Sequence, residues 1–147
     1  MKTLQKHERL LIIAAGILLL SILLMIIISP AIYTKTLLNT NNIGALIGMS
    51  LAVLIRLPLF VGYLLIVRRI RRYGDRRTGS YYVIGGFLIL FALIYTDGAV
   101  AFWDNKDVIY ISILMFASVF LELAAAVITF IAAYFRPKKL IKPHHSQ

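Results

Sequence analysis

Arg56 and Glu122 are the only charged residues that lie deep inside long apolar runs of this sequence. Arg56 precedes Val67, the end of its run, by eleven residues, and Glu122 precedes Phe135 by thirteen. In helices that rise 1.5 Å per residue, both charges lie about 16–20 Å from the same end of the runs. An unpaired charge at that depth in a bilayer costs at least ~2.5–3.5 kcal/mol, and a guanidinium can bind a carboxylate bidentately. We therefore predict a buried ion pair between the second and fourth runs.

Three roles are compatible with such a pair, and the residues alone do not decide between them. The pair can belong to a proton, ion or substrate path, or it can be a static contact that determines which helices touch. If either residue faces an opposite charge of another protein, the pair is instead an assembly signal. Pro58 follows Arg56 by two residues and removes the hydrogen-bond donor for the Leu54 carbonyl, which predicts a kink that is structural or acts as a hinge.

Catalytic and metal chemistry finds no support in the sequence. There is no cysteine, which excludes disulfides, thiolate metal sites and cysteine nucleophiles. The three histidines, His7, His144 and His145, stand near the chain ends, so no histidine metal cage is expected in the membrane. No base accompanies the scattered serines and threonines, and no glycine-rich phosphate loop opens a helix. We expect a protein that is not an enzyme, with no cofactor and no bound metal.

The elements that must position Arg56 and Glu122 are four apolar runs. Apolar residues make up 61% of the 147 positions, against ~45–50% in a soluble domain. Each run reaches the ~20 residues that cross a bilayer as a helix. The sequence predicts an all-α membrane protein, one antiparallel bundle of four transmembrane helices at about 10–29, 43–67, 81–101 and 108–135. A basic loop at 68–80 and a tail at 136–147 complete this single domain. The first run exceeds the 7–15 residues of a signal-peptide core, so we expect it to be retained.

Lysine and arginine are distributed very unevenly between the two sides of this predicted bundle. The N-terminal segment, the loop after the second run and the C-terminal tail together hold 13 of the 16 basic residues. By the positive-inside rule both termini are expected in the cytoplasm. The charge of +10 is then a cytoplasmic collar that attracts anionic headgroups, not a nucleic-acid interface. Its loop contributes six arginines: Arg68, Arg69, Arg71, Arg72, Arg76 and Arg77.

Small residues recur at helical spacing beside the two buried charges. They are Gly44, Gly48 and Ala52 before Arg56, and Ser118, Ala126 and Thr129 around Glu122. Small side chains let helix backbones approach closely in lipid, so we read these faces as packing faces of the bundle, with a homodimer seam as the alternative. The first run has few such residues and is expected to be the most lipid-exposed, or reserved for a partner.

Two functions remain compatible with these residues. The leading hypothesis is a non-catalytic accessory, assembly or immunity-type subunit that contacts a membrane-protein partner, or a second copy of itself, through its helices. The alternative is a small transporter or channel that uses Arg56 and Glu122 at the midplane. The pattern is compatible with a multi-pass protein of the bacterial cytoplasmic membrane.

Overall fold

The computed structural model contains four α-helices: α1 (Lys6–Asn39), α2 (Ile43–Tyr73), α3 (Gly79–Ala101) and α4 (Ile109–Tyr134). The structure describes residues 6–39, 43–73, 79–101, 103, 106 and 109–135, and the side chains of 6–29, 54–72, 79–97, 99, 100, 103, 106 and 109–135. The predicted all-helical fold is confirmed over these ranges. Leucine and alanine favour helices intrinsically, and a helix satisfies its own backbone hydrogen bonds where no water is present.

Two helices extend beyond their apolar runs. Helix α1 continues for ten residues past Ser29, through Pro30, to Asn39. A proline removes one backbone donor, a loss that neighbouring groups can offset in membrane helices. Helix α2 continues past Val67 to Tyr73, so four arginines expected in a loop form its last turns. Arginine is a good helix former, and cations are favourable at a helix C-terminus.

Among the described residues, three helical stretches are long and apolar enough to cross a membrane: Lys6–Ser29, Gly79–Asp97 and Ile109–Tyr134. Large apolar side chains point outward from them; Ile27 and Phe120, for example, are each 71% exposed. An exposed apolar surface of this extent indicates a membrane protein, because lipid rather than water can cover it.

The helices pack antiparallel in a four-cornered arrangement. Helix α1 contacts α2 and α4 closely, α4 also contacts α3, and α2 approaches α3 only slightly. Within the described ranges, α2 has no close backbone contact with α4 and lies diagonally across the bundle from it. A side chain that joins α2 to α4 must therefore cross the bundle axis.

The core consists of two apolar clusters with polar side chains between them. The first cluster joins the first half of α1 and of α3 to the second half of α2 and of α4; its residues include Leu11, Leu18, Tyr63, Tyr81 and Ala126. The second lies towards the opposite end and includes Met25, Ala92, Ala99, Ile111 and Met115. The buried polar residues Ser21, Arg56, Ser118 and Glu122 lie where the two clusters meet.

The expectation that the first helix is the most lipid-exposed is wrong. In the most apolar 18 residues of α1 the buried share is 44%, equal to that of the corresponding stretch of α4 and above the 39% of α3. Leu11, Leu18 and Ile22 of α1 belong to the same cluster as Ala125 and Ala126 of α4. Small residues on one helix are sufficient for close approach, so α1 can present large side chains to α4 and needs no small-residue stripe of its own.

A candidate functional site at the centre of the bundle

The centre of the bundle contains an ion pair between Arg56 of α2 and Glu122 of α4. Arg56 Nε lies 2.5 Å from Glu122 Oε1, and both side chains are completely buried. The long arginine side chain spans the diagonal that separates the two helices. A charge-assisted hydrogen bond in a water-free interior is much stronger than one at the surface. The structure thus brings together the two residues that the sequence singles out.

The guanidinium of Arg56 also lies over aromatic rings of α3. Its Cζ atom is 3.9 Å from the centroid of the Tyr95 ring and 5.7 Å from that of Phe91. A cation over a ring face is attracted by the ring quadrupole, more strongly when water is excluded. Helix α3 therefore stabilises the buried guanidinium of Arg56 through the faces of aromatic rings. The positions of charged residues in the sequence do not predict this role.

Ser21 connects the first helix to the ion pair. Its hydroxyl donates to Glu122 Oε1 at 3.2 Å and lies 2.7 Å from the hydroxyl of Ser118. Ser21 is not among the residues predicted from the sequence, although a signal exists: it is the only residue with a polar side chain between positions 10 and 28. With Ser21 included, every helix of the bundle contacts one polar cluster, defined here as Ser21, Arg56, Tyr95, Ser118 and Glu122.

The polar cluster contains buried atoms without a hydrogen-bond partner among the described residues, and Glu122 Oε2 is one of them. A buried acceptor without a donor costs roughly 1–3 kcal/mol, and more when it belongs to a charged group. Protonation of this oxygen would remove the charge of the carboxylate, so Glu122 is chemically able to accept a proton.

A second polar contact joins α2 to α4 nearer to one end. The hydroxyl groups of Tyr63 and Thr129 are hydrogen-bonded, and Thr129 also donates to the Ala125 carbonyl at 2.6 Å. Since Thr129 has a single hydroxyl proton, Tyr63 must be the donor between the two side chains. The predicted packing residues Ser118, Ala126 and Thr129 are all buried within this bundle.

Other predicted residues lie outside this arrangement. The structure places Gly44, Gly48 and Ala52 in α2 but does not describe their surroundings. Whether this face packs within the bundle or forms a homodimer seam is therefore still open, and both remain predictions. Pro58 is exposed, and α2 continues as one helix on both sides of it. Its role as a hinge also stays a prediction.

The arginine-rich end of α2 divides into residues with different environments. Arg68, Arg69, Arg71 and Arg72 are all exposed, and Arg71 Nε also lies 2.7 Å from Glu8 Oε1 of α1. Arg76 and Arg77 lie outside the described residues, as do His144 and His145. In the described part of the chain, no three residues among His, Cys, Asp and Glu are close enough together to bind a metal ion.

Taken together, the side chains at the centre of the bundle can do two things. They can link four helices through an ion pair, hydroxyl contacts and an aromatic face, and they can accept one proton on Glu122. Comparison with known protein families, curated proteins and solved structures finds no match to this chain.

Proposed function

We propose that this protein is a four-span membrane protein with both termini in the cytoplasm, and that it acts as a non-catalytic accessory, assembly or immunity-type subunit. Its contacts would be made by helices within the bilayer, with a larger membrane protein or a second copy of itself. A bacterial cytoplasmic membrane fits this proposal, with anionic headgroups bound on the cytoplasmic side and no nucleic acid as a partner.

The packing of α1 and α3 supports α2 as the fourth span. Both helices begin at the same end of the bundle, because Leu11 and Leu18 share a cluster with Tyr81 and Ile84. The chain must therefore return from the far end of α1 to the start of α3, and α2 is the helix between them. At 31 residues α2 is about 46 Å long, which exceeds the thickness of a hydrocarbon core.

The observation that carries the proposed function is that the two buried charges pair with each other within one chain. Arg56 and Glu122 neutralise each other at zero exposure, and the hydroxyl of Ser21 adds a contact to the same carboxylate oxygen. A pair of this kind specifies which helices are neighbours and leaves apolar outer faces to lipid or to a partner. It supports a role as a rigid subunit better than a role as a conduit.

The alternative, a small transporter or channel, is favoured by one specific atom. Glu122 Oε2 is buried without a hydrogen-bond partner among the described residues and could carry a proton through part of a transport cycle. In that case the Arg56 contact would have to break and form again as the carboxyl group changes charge.

Flux measurements on matched variants separate the two functions. Glu122→Gln, Arg56→Gln and the exchange Arg56→Glu/Glu122→Arg are purified and reconstituted in liposomes containing a pH-sensitive dye, with Arg71→Gln as a control that neutralises an exposed arginine. We expect no proton flux in the wild type and recovery of folding in the exchange variant relative to both single variants. A flux that a normally folded single variant loses, while Arg71→Gln retains it, would contradict the accessory role.

Labelling of single cysteines in cells tests the topology, because the native chain contains no cysteine. A cysteine at Lys106 should react with a membrane-impermeant maleimide in intact cells. A cysteine at Arg72 should react only after permeabilisation. The opposite result would place the termini outside and contradict the proposed orientation.

A further inference from the structure

One face of α2 changes from apolar to cationic along its length. Leu57, Val61 and Leu65 are exposed large side chains spaced four residues apart. Arg68 and Arg72 continue the same face three and seven residues after Leu65, and both are exposed. At 1.5 Å per residue, these arginines lie about 4 and 10 Å beyond the last exposed leucine of the face.

Arg71 differs from these two arginines in its partner, although it stands beside them in the sequence. Its Nε atom lies 2.7 Å from Glu8 Oε1, and the Glu8 side chain is only 9% exposed. Glu8 belongs to α1, which packs closely against α2. Arg71 therefore links the end of α2 to the start of α1 through Glu8, although its side chain is 55% exposed.

Exposed tyrosines mark the same end of the bundle. Tyr82, near the start of α3, is 57% exposed, and Tyr134, at the end of α4, is 83% exposed. Tyrosine is enriched at the level of the headgroups because its ring is apolar and its hydroxyl is polar. The two tyrosines and the apolar-to-cationic change on α2 thus indicate one interfacial level.

We propose that the outer face of the C-terminal end of α2 is a binding site for one anionic phospholipid, whose phosphate contacts Arg68 and Arg72 and whose acyl chains lie along Leu65 and Val61. This inference rests on the proposed four-span arrangement in a bilayer. It assigns two of the six arginines expected at the headgroups, Arg68 and Arg72, to one lipid, and it assigns Arg71 to the contact between α1 and α2.

Lipid titration of matched variants tests this assignment. Binding of a short-chain phosphatidylglycerol to the full chain in a neutral detergent is followed by native mass spectrometry. At ~1 kcal/mol per basic residue, loss of two arginines corresponds to about 30-fold weaker binding. We expect that loss for Arg68→Gln/Arg72→Gln, a change below about twofold for Arg71→Gln, and near-normal binding for Arg68→Lys/Arg72→Lys, which retains both charges.

Three results would overturn the site. They are wild-type affinity in Arg68→Gln/Arg72→Gln, an equal loss in Arg71→Gln, and displacement of the lipid by millimolar inorganic phosphate, which would indicate a phosphate site instead. Melting temperatures of the variants in the absence of lipid show whether they are folded. The maleimide labelling of Arg72→Cys reports separately on orientation, so a failed topology can be told apart from a failed lipid site.

Discussion

The described residues include two arginine–glutamate pairs with nearly the same atomic contact and different surroundings. In both, an arginine Nε atom of α2 approaches a glutamate Oε1 atom, at 2.5 Å for Arg56 and Glu122 and at 2.7 Å for Arg71 and Glu8. The first pair is completely buried, whereas the arginine side chain of the second is 55% exposed.

This difference in burial changes what each pair does for the fold. Transfer of two charges out of water is costly, so the buried pair is favourable mainly relative to a state in which one partner is left alone. In the second pair the Glu8 side chain is only 9% exposed, but water and salt reach the half-exposed Arg71 and screen the contact, so its contribution should lie nearer to the ~0–1 kcal/mol of surface pairs. The contribution of either pair to the free energy of unfolding therefore depends much more on the burial of its side chains than on the contact distance.

The largest effect is expected from breaking the central pair. Glu122→Gln leaves the Arg56 charge buried without its carboxylate and should lower the free energy of unfolding by about 3–5 kcal/mol. Arg56→Gln should cost less, because Glu122 can then accept a proton and become neutral. The free energy of unfolding of both variants is measured by SDS titration in mixed micelles.

The double variant Arg56→Gln/Glu122→Gln is the control for this prediction. Since it contains neither charge, its loss of stability should be well below the sum of the two single losses. If the losses add, the two residues are not energetically coupled, and the contrast between the two pairs disappears.

Two adjacent glycines of α3 allow a second comparison between a buried and an exposed position, in which no charged side chain is involved. A Cβ atom at Gly85 would lie 2.7 Å from the ring of Phe130, which itself stacks on Tyr82, whereas a Cβ at Gly86 would meet nothing within 4 Å. Gly85→Ala should therefore be less stable than Gly86→Ala by about 1–3 kcal/mol, the usual cost of overpacking. Thermal unfolding in the same detergent compares the two, and equal stabilities would contradict the packing of α3 on α4.

The smallest effect is expected from the pair of Arg71 and Glu8, whose arginine side chain is 55% exposed. Arg71→Gln should lower the free energy of unfolding by less than about 1 kcal/mol, and the loss should shrink further in high salt because the contact is screened. Glu8→Gln is the matched variant, and its effect should be similar in size. A loss from Arg71→Gln as large as that from Glu122→Gln would show that burial does not separate the two pairs.

Much of the fold and three of the five residues of the polar cluster, Arg56, Ser118 and Glu122, could be predicted from the sequence. Long apolar runs predict helices because no other local structure satisfies the backbone in lipid. Arg56 and Glu122 attract attention because charge is rare in such runs, and their similar depths predict that they can meet. Ser21 was missed because a single hydroxyl is ordinary in a membrane helix until its neighbour is known.

The errors about α1 and the arginine loop have a common cause. The scarcity of small residues on α1 predicts lipid exposure, but packing depends on both partners, and the alanines of α4 supply the room. The charge of the arginines after Val67 predicts a loop, although charge alone does not end a helix.

The sequence by itself determined that the chain is helical, where its apolar runs lie and that two opposite charges stand at similar depths within them. Periodicity and hydropathy act along one helix at a time, so they carry this information. Only the tertiary structure decided that α2 and α4 lie diagonally, that Arg56 crosses the axis over Tyr95, and that Arg71 is bound to Glu8 while Arg68 and Arg72 face outward. Those outcomes depend on which helices are neighbours and how each is rotated, and the packing of all four helices together determines both.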